Sequence, residues 1–385
     1  MKPRIILAIA AAIGLACPGL ASPRPAPAAP ATLTIALRPS LYQEAQRRLL
    51  FRPFTEATGI AIREVPWPDA EPARPAPATP SRTAPSRPSP GPRPGAGRTE
   101  KTAPAPAAPP AHAAPAPIAD IAELPAELLL AGCRDGLFEP PDWTAIGGRD
   151  HYLPQAIGEC GVGATLTATV LAWDRDKQQV TPAWADFWDV ARTPGRRGLR
   201  RGPEGNLELA LLADGVAPAD VYHVLAAPEG VDRAFRKLDQ LRPYIAWWDT
   251  PAQALQLLGS GGVLLTTAEA PRVFATNAAR HRHFGVQWDE ALTSMESWAV
   301  LKGSPNRGAA LRFLAFAADP ARQAAFTRAT FLGGLARQPA ESAATLQEIS
   351  PSAPAHLAAS LPIDAAFWAA NRAALTRRFD AWLAH

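Results

Sequence analysis

Apolar and polar positions along the chain switch repeatedly between a period near two and a period near 3.6. Leu33-Thr34-Ile35-Ala36-Leu37 is a short apolar run and predicts a buried strand. Leu41, Ala45, Leu49 and Phe54 then recur near helical spacing, with Glu44, Arg47 and Arg48 opposite, and Thr58-Gly59 ends that helix. Residues 60–65 alternate into a second strand, and this strand–helix–strand opening favours a parallel sheet with right-handed crossovers. Farther on, the pattern predicts a short helix over 125–131, a long strand over 161–173 and a helix over 182–190 carrying Trp184, Phe187 and Trp188. Amphipathic helices follow at 206–213 and 230–241, the second with Val231, Phe235, Leu238 and Leu241 on one side. Strands at 263–267, 284–288 and 298–301 and a helix at 305–316 complete an α/β pattern.

One segment breaks the rhythm. Of the 52 residues from Pro66 to Pro117, 17 are proline, which no regular helix or interior strand accommodates. Its arginines, spaced among prolines and alanines, read as a semi-extended, disordered insertion. Structure resumes at Ile118, so the run interrupts a unit instead of separating two. The rest is long enough for two compact units.

Met1-Lys2-Pro3-Arg4 followed by an apolar run to Ala16 and by Gly19-Leu20-Ala21 has the layout of a secretory leader, with cleavage expected before Ser22. Cys17 is the alternative lipid-anchoring position, but Gly14-Leu15-Ala16 lacks the large aliphatic residue that signal needs. No other segment reaches the roughly 20 apolar residues of a membrane span. Without Cys17, Cys133 and Cys160 remain, as a bridge suited to an oxidising compartment or as two buried thiols. A formal net charge of +4, dispersed along the chain, gives no footprint for nucleic acid.

Catalytic and metal motifs are missing from the sequence: no His-Glu-x-x-His, no Gly-x-Ser-x-Gly and no phosphate loop. Gly161-x-Gly163 lacks the third glycine of a dinucleotide fingerprint. His281 and His283 lie in a basic loop with no third ligand nearby, and Asp174 and Asp176 read as a charged turn. Trp247-Trp248 reads as core, because neighbours on a strand face opposite ways. No enzyme, metal or cofactor is nominated.

The order of segments is what becomes recognisable. Leu33-Thr34-Ile35-Ala36, Tyr42-Gln43-Glu44-Ala45 and Phe54-x-x-x-Thr58-Gly59-Ile60 resemble the start of a periplasmic solute-binding protein of an ABC transporter, of the spermidine/putrescine type. Gly136-Leu137-Phe138-Glu139-Pro140, Glu159-Cys160-Gly161-Val162-Gly163, Trp184-Ala185-Asp186-Phe187-Trp188-Asp189 and Lys302-Gly303-Ser304-Pro305-Asn306 continue the series. The resemblance implies a two-lobed, type II-like fold, each lobe a mostly parallel sheet flanked by helices, with the ligand cleft between them. Mapped onto this chain, one lobe takes residues 22–65, 118–160 and 295–335, and the other 161–294 and 336–385. It also implies a monomer that captures a small solute and delivers it to membrane permease subunits.

The same resemblance puts Glu296 where relatives carry an amine-binding aspartate. Arg38 stands where they often have tryptophan, Glu269 lies in another aromatic position, and Leu332 sits near a tyrosine position. Ser40, Tyr42, Glu127 and Glu204 complete the implied ligand set. With the aromatic box depleted, two arrangements are open. Either Arg38 takes a ligand carboxylate while Glu296 or Glu269 takes an amine, or Arg38 and Glu296 neutralise each other in a protein that has drifted toward envelope interaction or sensing.

Overall fold

The computed structural model describes residues 31–67, 118–338, 344 and 346–384. The leader, Cys17 and nearly all of the proline-rich run lie outside the described residues. Ten strands form one sheet: β1 (Thr32–Leu37), β2 (Ala61–Pro66), β3 (Ile121–Pro125), β4 (Val162–Asp174), β5 (Arg197–Arg200), β6 (Ile245–Trp248), β7 (Leu265–Glu269), β8 (Phe284–Val300), β9 (Gly333–Gly334) and β10 (Leu361–Pro362). Their order is β2-β1-β3-β8-β4-β7-β5-β6, with β10 on β8 and β9 on β4. The two outer blocks, β2-β1-β3 and β7-β5-β6, are parallel, as the strand–helix–strand pattern requires. Long β4 and β8 join them antiparallel. The expected α/β class holds, with the two sheets fused through this pair. The strands expected at 284–288 and 298–301 are the two ends of β8, which runs unbroken for 17 residues.

Two large cores lie at opposite ends of the crossing pair. Leu33, Ile35, Phe54, Phe313 and the near ends of β4 and β8 (Val162, Leu166, Trp298, Val300) fill one. Leu207, Leu211, Phe235, Trp368 and Phe379, with Leu171, Trp173 and Leu292 from the far ends, fill the other. Trp184, Phe187 and Trp188 pack into this second core. Trp248 is buried and Trp247 stacks edge-on against Phe379 and Trp382, so both tryptophans serve packing.

The first helix departs from its sequence pattern. It is α-helical over Gln43–Gln46, π-helical over Arg47–Phe51 and α-helical again over Arg52–Thr58. The wide turn rotates the apolar face, burying Leu50, Phe51 and Phe54, while Leu41 stays outside the helix and 69% exposed. Gly59 (φ 71°) closes the helix in the left-handed conformation glycine favours.

Asp120 explains the Lys302–Asn306 motif. Its carboxylate accepts from Ser304 Oγ at 2.6 Å, from Asn306 Nδ2 at 3.2 Å and from the Thr34 backbone N–H at 2.7 Å, tying that loop to β1. Cys133 and Cys160 form a disulfide with Cα atoms 5.9 Å apart, fastening helix Ala126–Arg134 to the chain just before β4. Gly163 is explained by close packing. A Cβ there would sit 2.6 Å from Leu335 Cδ1 and 2.8 Å from Ala156 Cα.

Candidate functional site

Residues paired across a ladder share a face of the sheet. On β4, Thr165 lies beside Glu296, Thr167 beside Ser294, and Thr169 between Leu292 and Glu269. Thr165, Thr167 and Thr169 are half-buried, whereas the intervening Leu166 and Ala168 are buried on the opposite face. None of the three threonine side chains hydrogen-bonds to a described residue. The crossing strands thus present a strip of available hydroxyls with a glutamate at each end.

The loop after β1 brings its residues to both ends of that strip. Arg38 is exposed and makes no ion pair with a described residue, but its charge reaches Glu296. Burial pushes the Glu296 carboxyl up to about 7, and the field of Arg38 only partly offsets this. Tyr42 faces the other end. Its phenol is pushed up to about 12, first by burial and then by the charge of Glu269, with Arg272 opposing. Arg272 Nε donates to Glu269 Oε2 at 2.8 Å, so that carboxylate is already paired. Ser40 is exposed, and its Oγ accepts from the Tyr42 backbone N–H at 3.0 Å, shaping the loop.

Glu127 and Glu204 are held elsewhere. Both pair with Arg372, on helix Ala365–Leu383, which thereby links helix Ala126–Arg134 to the turn before helix Asn206–Ala213. Arg38, Glu296, Tyr42 and Glu269 gather at the threonine strip, while Glu127 and Glu204 form a separate ionic bridge. Leu332 is part of the first core.

Reading the sequence missed Glu123. It pairs with Trp298 across β3–β8, on the same face as Glu296 and diagonal to it, about 7 Å between Cα atoms on an ordinary pleat. Gln46 Nε2 donates to Glu123 Oε2, yet burial and the charge of Glu296 push the Glu123 carboxyl up to about 8. Gln46, Arg272, Arg372 and the threonine strip were also missed. The signal for the strip was present, since Thr-x-Thr-x-Thr inside an apolar strand marks one wetted face.

A cavity of about 700 Å³ lies behind the strip. Phe274 and Trp288 on its wall pack against Ala168 and Val170, the reverse face of β4. Phe331, Phe274, Trp288 and His356 stack in series there, with centroids 5.5, 6.2 and 4.0 Å apart. The unpaired cation and the raised carboxyls converge on the threonine side, which we take as the site.

The family described as bacterial extracellular solute-binding protein matches residues 96–355. The gamma-aminobutyric acid-binding protein of Pseudomonas aeruginosa is 42% identical over 267 residues, covering 69% of this chain and 76% of that protein. Among solved structures, an ABC transporter substrate-binding protein from Bradyrhizobium japonicum superposes with a TM-score of 0.68 at 28% identity, over 91% of this chain and 99% of that one. A periplasmic binding protein from Agrobacterium tumefaciens in complex with glucopine gives 0.63 at 22% identity, over 91% and 99%, a likeness of fold.

Proposed function

The chain belongs to the bacterial extracellular solute-binding protein family, whose solved relatives include substrate-binding proteins of ABC transporters, and on that premise we propose that it captures a small zwitterion with separated amine and carboxylate. The cores at the two ends of β4 and β8 act as lobes that close over the solute, and the closed form presents it to permease subunits. Arg38 takes the carboxylate, Glu296 takes the amine, and the threonine hydroxyls beside Glu296 order the chain of the ligand.

One observation carries this reading: Arg38 stands at the site with no ion-pair partner among the described residues, facing the strand that bears Glu296. A cleft that had neutralised itself would join the two. A linear polyamine receptor needs free carboxylates at both ends, whereas here a cation, Arg38, stands near Glu296 and Glu269 is occupied by Arg272. The relative that binds gamma-aminobutyric acid supports the same solute class.

Thermal unfolding with γ-aminobutyrate, putrescine and succinate tests the proposal. Mass action raises the melting temperature with the ligand that binds, and γ-aminobutyrate is expected to give the largest shift. Arg38→Ala should weaken γ-aminobutyrate by about 10- to 100-fold, as expected for a lost charge-assisted hydrogen bond. A larger shift with putrescine, or no effect of Arg38→Ala on γ-aminobutyrate, would refute it.

A further inference from the structure

Against Thr165, the ladder neighbour of Glu296, is a small void of about 20 Å³. Its walls include Glu123, Gln46, Thr165, Trp298, Phe326 and Gln323. That volume holds a single water-sized group. The chemistry of the wall is selective. Glu123 supplies a carboxyl, Thr165 an available hydroxyl oxygen, and Trp298 and Phe326 two buried aromatic side chains. Gln46 and Gln323 are held by other partners, Gln46 by Glu123 and Gln323 by the Ala317 carbonyl and the Ala336 backbone N–H. An acceptor, a carboxyl and aromatic rings around a water-sized void suit a small cation.

We propose that this void is an end pocket for an unbranched primary ammonium, with Glu123 as its receptor and Glu296 at its mouth. The inference rests on the function proposed above and fixes the polarity of the ligand: the amine enters first and the carboxylate remains at Arg38. The size of the pocket sets the selectivity. A terminal –NH3+ fits, and an ammonium carrying three methyl groups does not. Among the described residues the charge that acts on Glu123 is that of Glu296 on β8, which in turn feels Arg38 from the loop after β1. Gln46, Gln323 and Thr165, from the other packed elements, are uncharged. When the ammonium enters, a protonated carboxyl of the Glu123–Glu296 pair gives its proton to solvent and the resulting carboxylate pairs with the cation. Binding therefore tightens as pH rises from 6 to 8, in keeping with carboxyls pushed up to about 8 and about 7.

Calorimetric titration of the full chain with γ-aminobutyrate and with its N,N,N-trimethyl analogue, at pH 6, 7 and 8, tests this. The trimethyl compound should bind at least about tenfold more weakly, and γ-aminobutyrate should tighten with pH. Glu123→Gln, isosteric with the protonated acid, should fold normally, weaken γ-aminobutyrate at least about tenfold and flatten its pH dependence. Equal binding of the two compounds, or unchanged affinity and pH dependence in Glu123→Gln, overturns the end pocket while leaving zwitterion capture in place. Absence of γ-aminobutyrate binding to the unaltered protein overturns both.

Discussion

Glu123, Glu296 and Glu208 are three carboxyls that burial lifts above the ordinary 4.5, to about 8, 7 and 7. A folded-state pKa above the unfolded one means that the native protein binds more protons between those values. The stabilisation is complete below about pH 4.5 and is lost as pH climbs through 7 to 8. Without ligand, the melting temperature should therefore fall on the order of 5 °C between pH 5 and 8. Glu123→Gln should make that slope shallower, and scanning calorimetry across the range measures both. An identical slope in the variant would show that Glu123 does not titrate in this window. Glu296 and Arg38 were legible in the sequence because they stand at positions that a resemblance marks. Glu123 was not, because a single acid beside Leu124 and Pro125 looks like a strand residue turned to solvent until the register with Trp298 is known.

At the scale of elements, sequence periodicity placed most strands and helices but not their phase or continuity. The π-helical turn at Arg47–Phe51 adds an extra residue to one turn, which no i, i+4 count anticipates, and it shifts the phase between Gln46, bonded to Glu123, and the buried Phe54. β8 read as separate strands because half-buried and exposed residues such as Asp289, Glu290 and Ser294 interrupt its apolar run. These interruptions fall where the strand crosses between the cores. Two elements allow direct tests. Gly163→Ala would press a Cβ onto Leu335 and the Ala156 backbone and should cost about 1–3 kcal/mol, read by denaturant unfolding. Reduction of the Cys133–Cys160 disulfide opens a constraint across 27 residues and should cost roughly 3–4 kcal/mol on the loop-entropy view, seen as a lower melting temperature in reductant. A fall under 1 kcal/mol in both would mean that the start of β4 tolerates rearrangement.

Across the whole molecule, the α/β class and the pairing of a parallel block with each core follow from alternating strands and helices. The fusion of the two blocks into one sheet does not, because it depends on which strands cross, and crossing is a long-range choice that local pattern leaves undetermined. That fusion is what makes the site. β4 and β8 carry residues of both cores with the threonine strip between them, so any movement of one core relative to the other bends the strands that bear Glu296, Thr165 and Thr169. Arg372 ties helix Ala126–Arg134 to the second core through Glu127 and Glu204. These groups are roughly one-quarter to one-half exposed, so Arg372→Ala should cost no more than about 1 kcal/mol in stability.

The central claim is that the site reads opposite charges at the two ends of one small solute. Isothermal titration of the unaltered protein with γ-aminobutyrate, butylamine and butyrate at pH 7.5 measures this most directly. The zwitterion should bind at least about 100-fold more tightly than either half-molecule, because each half leaves one charged group at the site without its partner. Butylamine binding as tightly as γ-aminobutyrate would contradict the claim, since Arg38 would then contribute nothing to recognition.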